Sequence, residues 1–163
     1  MAVDLGDLVP NLEALVSPPG NDLFADTEDD EWVTRLANGF WNARLDGLLS
    51  GYVEADGAVT PTSGDTDMSR ELQQVIVFYA AYDTILLALR AINTTFRAQA
   101  GPVSYETGQS AQVLRDIATA LKEKRNLLLS RLSDLGVTSD YVIDAIIARQ
   151  DSLLDGITYW TGY

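Results

Sequence analysis

Four acids in a row, Glu28-Asp29-Asp30-Glu31, are the first residues in this chain whose chemistry asks for a reading. Carboxylates in such density suggest a divalent cation. Consecutive helical residues, however, point about 100° apart, so the four cannot converge on one ion unaided. A helix start, where the dipole favours negative charge, accounts for them better. Asp65-Thr66-Asp67-Met68-Ser69 opens like a calcium loop, but Arg70 stands where the loop's glycine belongs and Ile76 where its closing glutamate belongs. The chain has no His and no Cys. It therefore lacks the commonest metal ligand and proton carrier, any thiolate nucleophile and any disulfide framework. No phosphate loop, dinucleotide turn or nucleophile elbow is present. Asn93-Thr94-Thr95 matches the glycosylation triplet but falls inside an apolar helical stretch. Carboxylate catalysis alone stays open; the expectation is a protein that is not an enzyme and holds no cofactor and no metal.

Two further charges stand out by position. Asp83 and Arg125 are each the odd residue on an apolar stripe. Counted from helix ends near Gln99 and Gly108 they lie 16 and 17 residues from the intervening turn. That puts both about 25 Å down an antiparallel hairpin. They are expected to form a buried pair, within the chain or across subunits, that sets register more than stability. Arg90, Arg97, Arg115, Lys122, Lys124, Arg125 and Arg131 fall in the same hairpin without interleaved aromatics, so they read as solvated faces and ion pairs more readily than as a nucleic-acid patch, which stays open.

The elements that must position these residues are helical. The 163 residues are 47% apolar, enough for one domain with its own core, and Leu, Ala, Ile and Val dominate. Leu5, Leu8, Leu12 and Leu15 keep helical spacing with Pro10 among them, which predicts a short or broken helix. Ser17 to Asp22 reads as a turn. Thr27 is the expected N-cap of the first full helix, whose apolar positions are Val33, Leu36, Ala37, Phe40, Trp41, Leu45, Leu48 and Tyr52. Residues 54–64 read as a loop. The next helix is the clearest: Met68, Leu72, Val75, Tyr79, Tyr82, Leu86 and Leu89 step by four and three, and Ile76, Ala80, Leu87 and Ala91 add a second apolar face. Gly101-Pro102 stops it. A third helix spans roughly Gln109 to Leu135, with Gly136 in the C-terminal glycine role. A shorter helix over Thr138–Arg149 follows, and then Leu153, Leu154, Ile157, Tyr159, Trp160 and Tyr163 among two glycines, too broken for a helix. The predicted fold is all-α: a long antiparallel hairpin with a preceding helix, forming a small bundle, plus an extended C-terminal appendage. It makes one domain over 1–163, with a core of about 27–135 and an interaction segment of about 138–163.

Charge is uneven. Residues 1–67 hold fourteen acids against Arg35 and Arg44, while the remainder holds ten acids and nine bases, within a total of −13. An acidic half argues against an affinity-driven grip on nucleic acid. The N-terminus shows no basic region followed by an apolar run, so no secretory leader is expected. Val75–Leu89 is too short for a membrane span and carries Asp83, so it reads as a buried helix.

Ala100-Gly101-Pro102-Val103-Ser104-Tyr105-Glu106, followed by Gln109-Ser110-Ala111 and Leu114, resembles the head-to-tail adaptor proteins of long-tailed bacteriophages that infect actinobacteria. Leu23-Phe24, Asp29 to Trp32, Leu36-Ala37, Phe40-Trp41 and Arg44-Leu45-Asp46-Gly47 are similar to the first helix of the same family. Together these cover about two-thirds of the chain. The pattern departs at Ser104, where the family carries an acid. The resemblance implies a structural virion protein made in the host cytoplasm and built into the neck. There it would form a ring, twelve-membered in the family, under the portal and extend the DNA channel toward the stopper and tail. Its partners would be the portal protein, the stopper and further copies of itself, with DNA passing through unbound and no membrane involved. It further implies that Gly101, Pro102, Tyr105 and Glu106 form the family's turn. Leu153, Leu154, Ile157, Tyr159, Trp160 and Tyr163 would meet the portal. Asp26, Glu28, Asp29, Asp30, Glu31, Asp56, Asp65 and Asp67 are the acids expected to face the channel. The reading from residues alone also leaves open a soluble helical regulatory or partner-binding module.

Overall fold

A computed structural model describes the backbone of residues 2–17, 24–63, 67–98 and 105–158, and the side chains of 2–17, 24–63, 67–91, 112–139 and 142–152. The chain opens with a two-residue strand, β1 (Val3–Asp4), and a 3-10 turn over Leu5–Leu8 that Asp4 caps by accepting from the Gly6 N–H at 2.8 Å. Helix α1 (Val9–Val16) follows. Pro10 does not break it, because it sits in the first turn, where a missing N–H leaves no bond unmade. Leu5, Leu8 and Leu12 are buried together.

Helix α2 (Asp29–Leu45) begins one residue later than its sequence suggests. Glu28, extended at φ −75° and ψ 154°, is the N-cap, and its side chain makes no capping bond. Asp29, Asp30 and Glu31 occupy the first turn, where their charge suits the dipole. The helix stops well short of Tyr52. Gly47 takes φ +84°, and the Leu48 N–H donates to the Ala43 carbonyl at 3.1 Å, a glycine C-terminal motif that turns the chain out of helix.

That turn frees the following residues for strands, which corrects the loop expected over 54–64 and adds a small sheet to the helical fold that was expected to be all-α. Strands β2 (Tyr52–Ala55) and β3 (Ala58–Pro61) form a hairpin closed by Asp56-Gly57, whose φ values are +52° and +78°. Two successive positive φ values at Asp-Gly match the right-handed strand twist, which is why this dipeptide makes tight hairpins. β1 pairs with β3 antiparallel, Val3 opposite Val59, giving a three-stranded sheet in the order β1-β3-β2. The molecule is mostly helical with this small sheet at one edge.

Helix α3 (Arg70–Ala98) is the central element and packs against α1, α2, α4 and α5. Its heptad stripe is buried from Met68 to Leu89, apart from the half-buried Tyr82. Of the second face, Ile76 and Ala80 are buried, whereas Leu87 and Ala91 are exposed. By length and hydropathy the Arg70–Ala91 stretch could cross a membrane; 67% of its most apolar window is buried within the bundle, as befits a core helix. Gly39 on α2 lets the two helices touch: a Cβ there would lie 2.6 Å from the Ala80 nitrogen.

Helix α4 (Tyr105–Asp134) returns along α3 with Leu114, Ile117, Ala118, Leu121, Leu128, Leu129 and Leu132 buried. It ends at Gly136 (φ +70°), with the Val137 N–H on the Leu132 carbonyl at 2.9 Å, as the glycine predicted. Helix α5 (Asp140–Thr158) is longer than expected. The extended appendage is overturned as far as Thr158, since Leu153, Leu154 and Ile157 lie on this helix, which runs through Gly156. One glycine costs a helix only about 1 kcal/mol, less than a run of well-spaced apolar residues returns.

Candidate interaction surfaces

The residues singled out for chemistry are not assembled into one site. Within the chain Asp83 and Arg125 do not pair with each other. Asp83 is half-buried on α3 and accepts from the Asn42 side chain of α2 at 2.5 Å. Burial raises its pKa above the ordinary aspartate value, while the Asn42 hydrogen bond and the Arg149 and Arg90 charges pull it back down. Arg125 is 6% exposed and its guanidinium donates to Gln150 Oε1 at 3.0 Å, to Asp151 Oδ1 at 2.9 Å and to Asn126 Oδ1. The count along the hairpin set both charges at similar depth; what it lacked was α5, which supplies Arg125 with its partners.

These contacts belong to a polar chain that crosses the bundle. At the end of α2 the Asp46 carboxylate, 7% exposed, accepts from the Tyr79 hydroxyl of α3 and from both terminal nitrogens of Arg149 on α5. Burial and the neighbouring carboxylate both push the Tyr79 phenol well above its usual range, so it stays a donor. The Tyr82 hydroxyl donates to the Gln150 carbonyl at 2.7 Å, and burial raises its pKa to about 12. Lys122 lies 3.6 Å from Asp151. Sequence reasoning counted Tyr79 and Tyr82 only as stripe residues. The available signal was tyrosine where phenylalanine would pack as well, since a buried phenol needs a partner for its hydroxyl.

Beside this chain lies an open groove of about 490 Å³ between α2, α3 and α5. Trp41, Leu45 and Leu87 line it and are 43%, 84% and 58% exposed; sequence spacing puts Trp41 and Leu45 on a buried face and Leu87 on the second apolar face of α3. Asp83, Arg90 and Arg149 complete its wall. The Trp41 indole N–H donates to Glu54 on β2 at 3.0 Å, so the sheet steadies the ring at the groove's edge. A second open groove, of about 970 Å³, runs between α1, α3 and α4 past Leu15, Val77, Phe78 and Leu127, with Lys124 and Arg131 on its rim.

Of the acids, Asp26, Glu28, Asp29, Asp30 and Glu31 are exposed around the start of α2, Asp56 at the hairpin tip and Asp67 ahead of α3. Glu31 pairs with Arg35 one turn on. Among the described residues no group of three or more acids is placed to hold a metal ion. Tyr105 and Glu106 begin α4. Asp65, Gly101, Pro102, Tyr159, Trp160 and Tyr163 lie outside the described residues. No protein-family model, curated protein or solved structure matches this chain.

Proposed function

We propose that this chain is a structural head-to-tail adaptor of a bacteriophage neck, forming a ring beneath the portal that extends the DNA channel and joins the capsid to the stopper and tail. The observation that carries the reading is the groove at Trp41, Leu45 and Leu87. Large apolar side chains left in water together on one face mark a surface meant for another protein. The pattern that resembles adaptors then names the assembly. Its stretch from Phe24 to Gly47 coincides with α2, from its entry to its glycine cap, and its core residues Trp32, Leu36 and Phe40 seat that helix on the bundle. On this reading the chain performs no catalytic step. Its partners are further copies of itself, the portal and the stopper, and its place is the virion.

The test is co-expression with the portal protein of the same phage, followed by mass measurement and electron microscopy of the complex. A closed ring of this chain seated on the portal is the expected result. A chain that stays monomeric or dimeric and ignores the portal would favour the other reading, a helical partner-binding module. The open α1/α3/α4 groove, of about 970 Å³ and lined by both apolar and polar side chains, supports that alternative.

A further inference from the structure

Helix α5 is fastened to the bundle in two different ways along its length. In its first half Ile143 and Ile146 are buried, with Val142 and Ile147 packed beside them. Residues 149–151 bring no apolar side chain, yet each is tied down: Arg149 to Asp46, Gln150 to Arg125 and Tyr82, Asp151 to Arg125 and Lys122. Beneath them, between Tyr79, Tyr82, Leu121 and Leu129, the packing leaves a void of about 20 Å³, room for one water. Buried apolar area is lost outright when a helix leaves. Hydrogen bonds and ion pairs are largely exchanged for bonds to water, and the Arg149–Asp46 pair, its guanidinium 54% exposed and its carboxylate 7% exposed, is open to salt on the arginine side. The long roll of contacts at 149–151 therefore holds α5 less firmly than apolar packing of the same extent. The link back to α4 is short and free of burial, since Leu135, Gly136 and Val137 are exposed and Gly136 already takes φ +70°.

We infer that α5 is a detachable helix, clasped by Asp46–Arg149 and Arg125–Asp151, that swings off about Gly136 and bares the apolar trough between α3 and α4. The inference does not depend on the adaptor reading; on that reading, release would extend the reach of the C-terminal segment toward a second protein. Detachment also lets water solvate the guanidinium of Arg125, and Asp46, 7% exposed in the closed state, keeps the Tyr79 hydroxyl as a donor.

Amide hydrogen exchange of the full chain, resolved by segment, tests it. Raising salt to about 1 M, where screening is strongest, should speed exchange across 142–158 about tenfold while 72–89 and 114–132 hold their protection. Arg149→Ala at low salt should do the same, and Asp151→Asn should do so in part. Should Arg149→Ala fail to fold, the salt series and Asp151→Asn still decide. Exchange of α5 in step with α3 under every condition would overturn the inference, as would α5 protection that neither salt nor the substitutions move.

Discussion

Gly39 has room for a hydrogen and nothing larger. An added methyl would meet the Ala80 nitrogen at 2.6 Å and the Ile76 carbonyl oxygen at 2.7 Å, backbone atoms inside a helix that cannot step aside. Gly39→Ala gains about 0.5–1 kcal/mol of helix propensity, but the overpacking costs about 1–3 kcal/mol or more, so a net loss should appear in urea unfolding. A gain instead would mean that α2 stands farther from α3 than the structure has it. Asp83 makes a prediction of opposite sign. A carboxyl whose pKa is raised by folding binds its proton more tightly in the folded state. Its contribution to stability is therefore lost as pH rises out of the ordinary aspartate range through the raised value. Asp83→Asn keeps an oxygen for the Asn42 donor and removes the half-buried charge. The variant should be more stable than the parent at neutral pH, and the two should converge as the medium is acidified below about pH 4. Parallel stability curves across that range would show that Asp83 titrates normally.

At the scale of elements, what the sequence made legible was apolar periodicity. The α3 stripe from Met68 to Leu89 is buried as its spacing requires save for the half-buried Tyr82. The α4 leucines from Leu114 to Leu132 on the stripe are buried while Leu135 at the end of their spacing is 62% exposed, and Gly136 stops α4 as a glycine should. The misses at the end of α2 and at the hairpin share one cause: punctuation that periodicity overran. Leu45, Leu48 and Tyr52 continue the α2 pattern, so the stop at Gly47 and the Asp56-Gly57 hairpin beyond it were passed over, although both glycines carry positive φ. Gly156 was overread in the other direction, as a break in what is α5. Long-range polar pairing was not legible at all, because nothing in the order of residues says that α5 lies beside Asp46 and Arg125. Its placement shapes the next prediction. A chain ending at Asp151 keeps the buried Ile143 and Ile146 and the polar contacts of Arg149, Gln150 and Asp151. It should retain the circular dichroism of the bundle less the last turns of α5. On the adaptor reading it should no longer attach to the portal, because aromatic and aliphatic anchors such as those after Leu153 dominate interface energies. Portal binding undiminished in that truncation would take the interface away from the C-terminal segment.

For the whole molecule the deciding quantity is where charge sits relative to a passing polyanion. Acids at Asp26, Glu28, Asp29, Asp30, Glu31, Asp56 and Asp67 are exposed, and within residues 1–67 only Arg35 and Arg44 oppose them. Arg35 spends its charge on Glu31 and lies over the Trp32 ring, and Arg44 bonds the Tyr52 carbonyl beside Trp41. This half of the molecule therefore offers DNA little but repulsion. The repulsion is felt only at close approach, since screening confines it to about 8–10 Å at physiological salt. A channel wall needs that property, because a negative surface lets the duplex slide where a basic one would hold it. Purified protein should accordingly show no duplex binding even at low ionic strength, where counterion release would favour it most. Reversing Asp29, Asp30 and Asp56 to lysine should leave the bundle folded, as exposed charges contribute little to stability, yet on the adaptor reading it should slow DNA ejection from assembled particles. Tight, salt-sensitive binding by the unaltered chain would instead point to the bases at Lys124 and Arg131 as a DNA contact.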